Sequence, residues 1–144
     1  MDLFLICRDA LENSLVTSLL MAMEAKREGS DVGVLFTQEA LVAVAGQAFD
    51  WSPLLRDRPT RTRVAKKAKE LGIPTHAAPT PGFPAINTKE LMKAAKTAGV
   101  SLFACPVWAE FLELQGKLSP EITEIDLTTA LKTIREAKTV LGTF

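Results

Sequence analysis

The sequence predicts an α/β fold in which a mainly parallel sheet is covered by helices on both faces. Two observations lead to this. Short unbroken apolar runs, at Leu3 to Cys7, Asp31 to Phe36 and Val100 to Ala104, read as strands buried from both sides. Between and after them lie longer segments whose apolar residues recur at helical spacing. Ligands and chemistry in such folds gather at the carboxyl ends of the strands.

The elements follow in order. After the first strand a helix is expected from about Leu11 to Glu28, with Asp9 or Asn13 as candidate caps and Gly29 as its stop. Leu15, Val16, Leu19, Leu20 and Met23 form its stripe, and Met21 and Ala22 widen it enough to serve a subunit contact as well as the sheet. Thr37 is the expected cap of a second helix, Gln38 to Ala48, with Glu39 in its first turn. Trp51 to Thr60 reads as loop. Arg61 to Leu71 reads as a helix with Val64, Ala68 and Leu71 inward, ending at Gly72 before Pro74. Ile73 to His76 is a short candidate third strand.

Ala77 to Ala85, with Pro79, Pro81 and Pro84, is an irregular segment of the length that functional loops have. Asn87 and Glu90 have capping-box spacing and open a helix that closes at Gly99. The strand Val100 to Ala104 follows, then a helix from Pro106 ending at Gly116. Ile122 to Ile125 fits an edge strand or a turn. Leu127, Leu131 and Ile134 mark a last helix capped by Asp126 or Thr128, and Val140 to Phe144 a terminal strand.

The chain's 144 residues suit one domain, 1–144, with a substantial core. Apolar residues make up 47% and charged residues 24%, which excludes a disordered composition. Seventeen basic and seventeen acidic residues cancel, so no overall field calls for nucleic acid or an anionic membrane. The mean hydropathy of +0.14 hints at apolar surface shared between subunits. The longest apolar stretch, Leu15 to Met23, is too short to span a bilayer. The first residues carry no basic region of a secretory signal, which points to the cytosol. Two cysteines, Cys7 and Cys105, match neither a disulfide framework nor a zinc site, and in a reducing compartment both rest as thiols.

Cys105 stands where the strand pattern gives way to the helical one. Pro106 suits the first helical position, because its missing N–H is not needed there. The unpaired N–H groups of that turn favour an anion, so the setting favours a thiolate relative to the ~8.5 pKa of a free thiol. A buried, inert cysteine is the alternative, since free Cys packs as a small hydrophobe.

Several segments resemble the DsrE/DsrF-like family of small sulfur-relay proteins, of the TusD and YchN types. They are the apolar first strand and long first helix, the VGVLFTQEAL strand and turn, the segment KAAKTAGVSLFACPVWAEFLEL, and the closing AKTVLGTF. The resemblance implies a three-layer α/β/α sandwich with a mainly parallel sheet of about five strands, and a homo-oligomer, trimer or hexamer. It also implies a cysteine that accepts and passes a persulfide, and that cysteine maps onto Cys105. Pro106 and Trp108 depart from the small or polar residues expected after it. Members without relay activity exist, so a non-catalytic oligomeric scaffold or small-ligand binder of the same fold is the alternative.

The other candidate site residues are His76, the only histidine, as a base if its strand delivers it to the same edge; Cys7, as a resolving thiol or a core residue; and Glu39, as a neighbour of the site or a helix-dipole partner. Expected partners are sulfur-donor and acceptor proteins or small thiols, with no nucleic acid, membrane span, cofactor or metal. Any activity would be that of a sulfur carrier or transferase. The basic cluster from Arg56 to Lys69 is odd, because Arg61 and Arg63 fall where a helix N-terminus disfavours cations; a solvated helical face, an acidic partner surface, a neighbouring subunit or a phosphate-bearing ligand would each account for it. Trp51 and Trp108 flank strand ends. The turn after the first strand has no glycine, and no GxGxxG, P-loop or GxSxG appears, which disfavours nucleotide, flavin and hydrolase chemistry.

Overall fold

The computed structural model describes residues 1–46, 49–76 and 85–142. Along the chain these form β1 (Leu3–Cys7), α1 (Glu12–Arg27), β2 (Val32–Phe36), α2 (Gln38–Gly46), α3 (Arg58–Glu70), β3 (Thr75–His76) and β4 (Ala85–Ile86). They continue as α4 (Thr88–Thr97), β5 (Ser101–Ala104), α5 (Pro106–Phe111), β6 (Thr123–Glu124), α6 (Leu127–Glu136) and β7 (Thr139–Gly142). Five strands make one sheet in the order β6-β5-β2-β1-β7, and every pairing is parallel.

Parallel neighbours must be joined by crossovers, and the helices that make them cover the sheet. The central strand β2 is accordingly buried at all five positions. Helix α1 packs on β1, β2 and α4, while α2 and α5 pack together and α5 meets α6. Phe4, Phe36, Leu15, Leu19, Leu41, Leu91, Met92 and Leu102 are fully buried between these layers. On α1 the expected stripe is in place, with Leu15, Leu19 and Ala22 buried and Met21 left exposed, and Ser14 and Ser18 join the buried side. Gly33 is the small residue that lets the sheet close here. A Cβ at that position would come 2.8 Å from the Met1 sulfur and 3.1 Å from the Phe103 ring.

The structure corrects several sequence expectations. The third strand exists, as Thr75–His76, but it stands outside the parallel sheet and pairs antiparallel with Ala85–Ile86. Its ladder partner is the segment that leads into α4, and the fifth place in the parallel sheet goes to β6, the segment that fitted a strand or a turn, which pairs with β5. The third helix begins three residues early, at Arg58, because the Asp57 side chain accepts from the Thr60 N–H and Pro59 suits the first turn. Neither Asp9 nor Asn13 is the cap residue of α1. Leu11 holds that position without a side-chain bond, and Asp9 accepts from the Leu11 N–H and the Ser14 hydroxyl instead.

The helix after Cys105 ends at Phe111 rather than Gly116, since Glu113 adopts a left-handed φ of 52° and the Leu114 N–H turns back to Ala109. The last strand starts at Thr139. The prolines at 79, 81 and 84, the end of the second helix at 47–48 and the terminal residues 143–144 lie outside the described residues.

Asn87 caps α4 as the sequence pattern predicts, and of the two candidates for α6, Asp126 and Thr128, the structure selects Asp126. Asp126 accepts from the Thr129 N–H at the start of α6, and Asn87 from the Glu90 N–H at the start of α4, 3.1 Å away. Replacing Asn87 by Ala is expected to cost about 1 kcal/mol in chemical denaturation, and Asn87→Ser to recover most of it. An unchanged midpoint for the alanine variant would show that this end of α4 is held by packing on α1 alone.

Candidate functional site

The carboxyl ends of the three central strands are stitched to the turns that follow them. The Thr37 N–H donates to the Cys7 carbonyl, the Cys105 N–H to the Phe36 carbonyl, and the Ala40 N–H to the Arg8 carbonyl, each at 2.9 Å. This fixes Cys105 directly beyond β5, in the N-cap position of α5, with extended backbone (φ −65°, ψ 119°) and Pro106 next. The strand-to-helix junction read from the sequence is therefore present. The Cys105 side chain is partly buried and makes no capping hydrogen bond, so its sulfur is not committed to holding the helix. Helix α5 has only six residues, so its dipole is that of a short helix.

Gln38, at the turn after β2, has a φ of 53°, a left-handed conformation that a non-glycine residue adopts at a cost of about 1 kcal/mol or more. Such strain gathers where a fold positions functional groups. Glu39, the next residue, is exposed in the first turn of α2.

Cys7 stands apart from Cys105. It is fully buried, and burial, with the nearby Asp9 carboxylate, pushes its thiol up to about 12, while the Ser18 hydroxyl pulls weakly the other way. Strand β2 separates β1 from β5, which puts the two cysteines' backbones about 10 Å apart at the usual strand spacing. That exceeds the ~7 Å a disulfide can bridge. His76 is exposed on the two-stranded sheet. The parallel sheet, the element expected to bring it to the cysteine edge, does not contain it.

A further cluster at this end of the sheet was not anticipated. Glu12, the first residue of α1, is 6% exposed, and its N–H donates to the Asp50 carbonyl at 2.7 Å. Trp51, also 6% exposed, follows Asp50, and the Arg61 guanidinium stacks over its ring at 5.3 Å. Burial pushes the Glu12 carboxyl up to about 7, against the smaller opposing pulls of Arg61 and the Trp51 indole. Glu12 Oε1 and Trp51 Nε1 still lack a hydrogen-bond partner of good geometry among the described residues. The odd cation in the first turn of α3 is thus explained: Arg61 turns inward to a carboxyl and an aromatic face. In the sequence Glu12 looks like an ordinary first-turn acid. Its one sequence signal was the unexplained Arg61 some fifty positions away.

Beside Cys105 a groove of about 420 Å³ opens between α5 and the β6–α6 connection. Its lining includes Ala104 and Pro106, the chain neighbours of Cys105, with Val107, Leu127 and the acidic residues Glu110, Glu124 and Asp126. Among the described residues no group of three or more metal-ligating side chains occurs, and no helix is long and apolar enough to cross a membrane.

No protein-family model matches the chain, and no curated protein matches it in sequence. Two solved structures share its architecture over nearly the whole length. The YchN protein of E. coli superposes with a TM-score of 0.62 at 14% identity, covering 99% of this chain and 98% of its own. A conserved protein of unknown function from Bacteroides thetaiotaomicron gives 0.60 at 10% identity, covering 98% and 93%. With five parallel strands and helices packed against them, the chain has the DsrE/YchN-like α/β fold.

Proposed function

We propose that the chain folds as one domain over residues 1–144 and is a cytosolic sulfur carrier that accepts and passes sulfane sulfur on Cys105. The observation that carries this reading is the contrast between two thiols at one sheet edge. Cys7 is sealed in the core and held protonated, whereas Cys105 is partly exposed at a strand-to-helix junction with its sulfur uncommitted. The Cys105 thiolate attacks the outer sulfur of a donor persulfide. A new S–S bond forms, the donor's S–S bond breaks, and its electron pair leaves with the donor thiolate. An acceptor thiolate then takes the outer sulfur from Cys105 in the same way, which releases the Cys105 thiolate.

Cys7 serves as core in this reading. Glu39, exposed in the first turn after β2, is the remaining candidate neighbour of the site. Donor and acceptor are sulfur-bearing proteins or small thiols. The alternative, a non-catalytic oligomeric scaffold, rests on a separate observation. Phe111, Leu127 and Leu131 are 71%, 51% and 44% exposed on α5 and α6, apolar area of the sort that a trimer or hexamer covers.

Treatment with polysulfide, followed by intact-mass and peptide analysis, is expected to add about 32 Da per sulfur on Cys105 in the native chain. Cys105→Ser should reduce uptake at least tenfold. Equal uptake by that variant, with native circular dichroism, would leave the scaffold as the better reading.

A further inference from the structure

One stretch of the chain is tied only lightly to the rest. From 51 to 76 the buried residues are Trp51, Ala65 and Ala68, and all others are half-buried or exposed. Helix α3 packs chiefly on β3 and β4 rather than on the parallel sheet. Ala68 reaches the core, with Val64 half-buried beside it. Trp51 is therefore the one large side chain that anchors this stretch. Segments with so few buried apolar contacts open at a lower free energy than the core does.

The anchor has a polar setting. The backbone around it is held to the turn after β1. The Asp50 N–H donates to the Ala10 carbonyl at 3.0 Å, the Glu12 N–H to the Asp50 carbonyl at 2.7 Å, and the Ser52 N–H to the Asn13 side-chain carbonyl at 3.3 Å. The Glu12 carboxyl is buried beside Trp51, and both Glu12 Oε1 and the Trp51 indole N–H lack a well-formed hydrogen bond among the described residues. Closure leaves these groups without the water that an open strap restores to them.

The charges around Glu12 come from three elements. Arg61, from α3, lies over the Trp51 ring and pulls on the carboxyl. Asp9, in the turn after β1, accepts from the Leu11 N–H and the Ser14 hydroxyl, and Asp50 accepts from the Trp51 N–H. An ionised Glu12 keeps its charge out of water while the segment is closed, and opening returns it to water. Arg61 offsets part of that cost, and burial outweighs it.

We propose that residues 49–70 form a pH-sensitive strap over the carboxyl end of β1, closed while Glu12 holds its proton and released from the native fold more often once the carboxyl ionises. On release Trp51 leaves the first turn of α1, Arg61 goes with it, and the turn at 8–12 meets water. That turn lies on the sheet edge where such folds bind ligands, two strands from Cys105. The strap thus ties access to this edge to pH in the neutral range, and it operates whether or not Cys105 carries sulfur.

Hydrogen exchange read by peptide mass from pH 5.5 to 8 tests the proposal, each rate being divided by the intrinsic rate at the same pH. Peptides within 53–70 are expected to lose protection about 25-fold over this range, the ratio that follows from a carboxyl at about 7 when closed and 4.5 when open. At every pH their protection should lie well below that of β2 peptides, and 0.5 M urea should speed exchange in β2 while leaving the strap unchanged, since local opening exposes little surface. Glu12→Gln should flatten the strap's profile. His76→Gln, which removes the chain's one imidazole, should not. In a Trp108→Phe background, acrylamide quenching of Trp51 is expected to rise over the same range. A flat wild-type profile overturns the proposal. So does protection equal to that of β2 with the same urea response, which means that 49–70 opens only when the whole chain unfolds. A Glu12→Gln profile as steep as the wild type's overturns it as well, and if that variant does not fold, the wild-type pH and urea series decides alone.

Discussion

Alkylated at pH 8 in its native state, the chain is expected to take up one equivalent of iodoacetamide, all of it on Cys105. Unfolded in urea it should take up two. The difference arises from burial. With its thiol pushed up to about 12, Cys7 presents roughly one thiolate in ten thousand at pH 8, and its position in the core also denies the reagent access. The native rate at Cys7 should therefore fall at least a thousandfold below that at Cys105. Peptide mass spectrometry over a time course separates the two sites. Comparable rates would mean that the end of β1 opens readily, and Cys7 would again be a candidate resolving thiol. No reaction at Cys105 before unfolding would remove the basis for sulfur transfer.

The second large effect concerns the buried carboxyl. Glu12 titrates near 4.5 in an unfolded chain and at about 7 in the folded one. A carboxyl whose folded value is raised binds its proton more tightly in the native state. Its stability contribution is therefore complete below about pH 4.5 and is lost as pH rises towards 7 and beyond. The size of the shift corresponds to about 3 kcal/mol between those limits. Glu12→Gln mimics the protonated form at every pH. The variant should match the wild type near pH 4.5 and exceed it at pH 8 by about 3 kcal/mol, or roughly 9 °C in Tm. Subtracting the two denaturation-versus-pH curves cancels every other titrating group. Parallel curves across pH 5 to 8 would mean that Arg61 compensates the carboxylate fully and that this cluster is an ordinary ion pair.

Most of the architecture was legible because it depends on local pattern. The runs at 3–7, 32–36 and 101–104 are too apolar to face water, and each is followed by a segment whose apolar residues recur at helical spacing. The position of Cys105 needed nothing further: Ala104 ends a strand, Pro106 opens a helix, and the residue between them must occupy the junction. The caps at Asn87 and Asp126 were visible for the same reason, since a capping bond spans three residues.

What escaped the sequence depends on residues far apart in the chain. That His76 belongs to a separate antiparallel pair, and that the segment at 123–124 takes the sheet edge, follows from competition for ladder partners, which no local pattern records. The joining of Glu12, Trp51 and Arg61 is set by the docking of α3, and the acidic groove by the return of the chain to lay β6 beside β5. The sequence by itself determined the strands, the main helices and a cysteine at a β-to-α junction, because burial and capping act over a few residues. Only the tertiary structure decided which thiol meets solvent, which carboxyl loses it, and where an acidic groove forms, because desolvation and electrostatic fields arise from elements that meet only when the chain has folded.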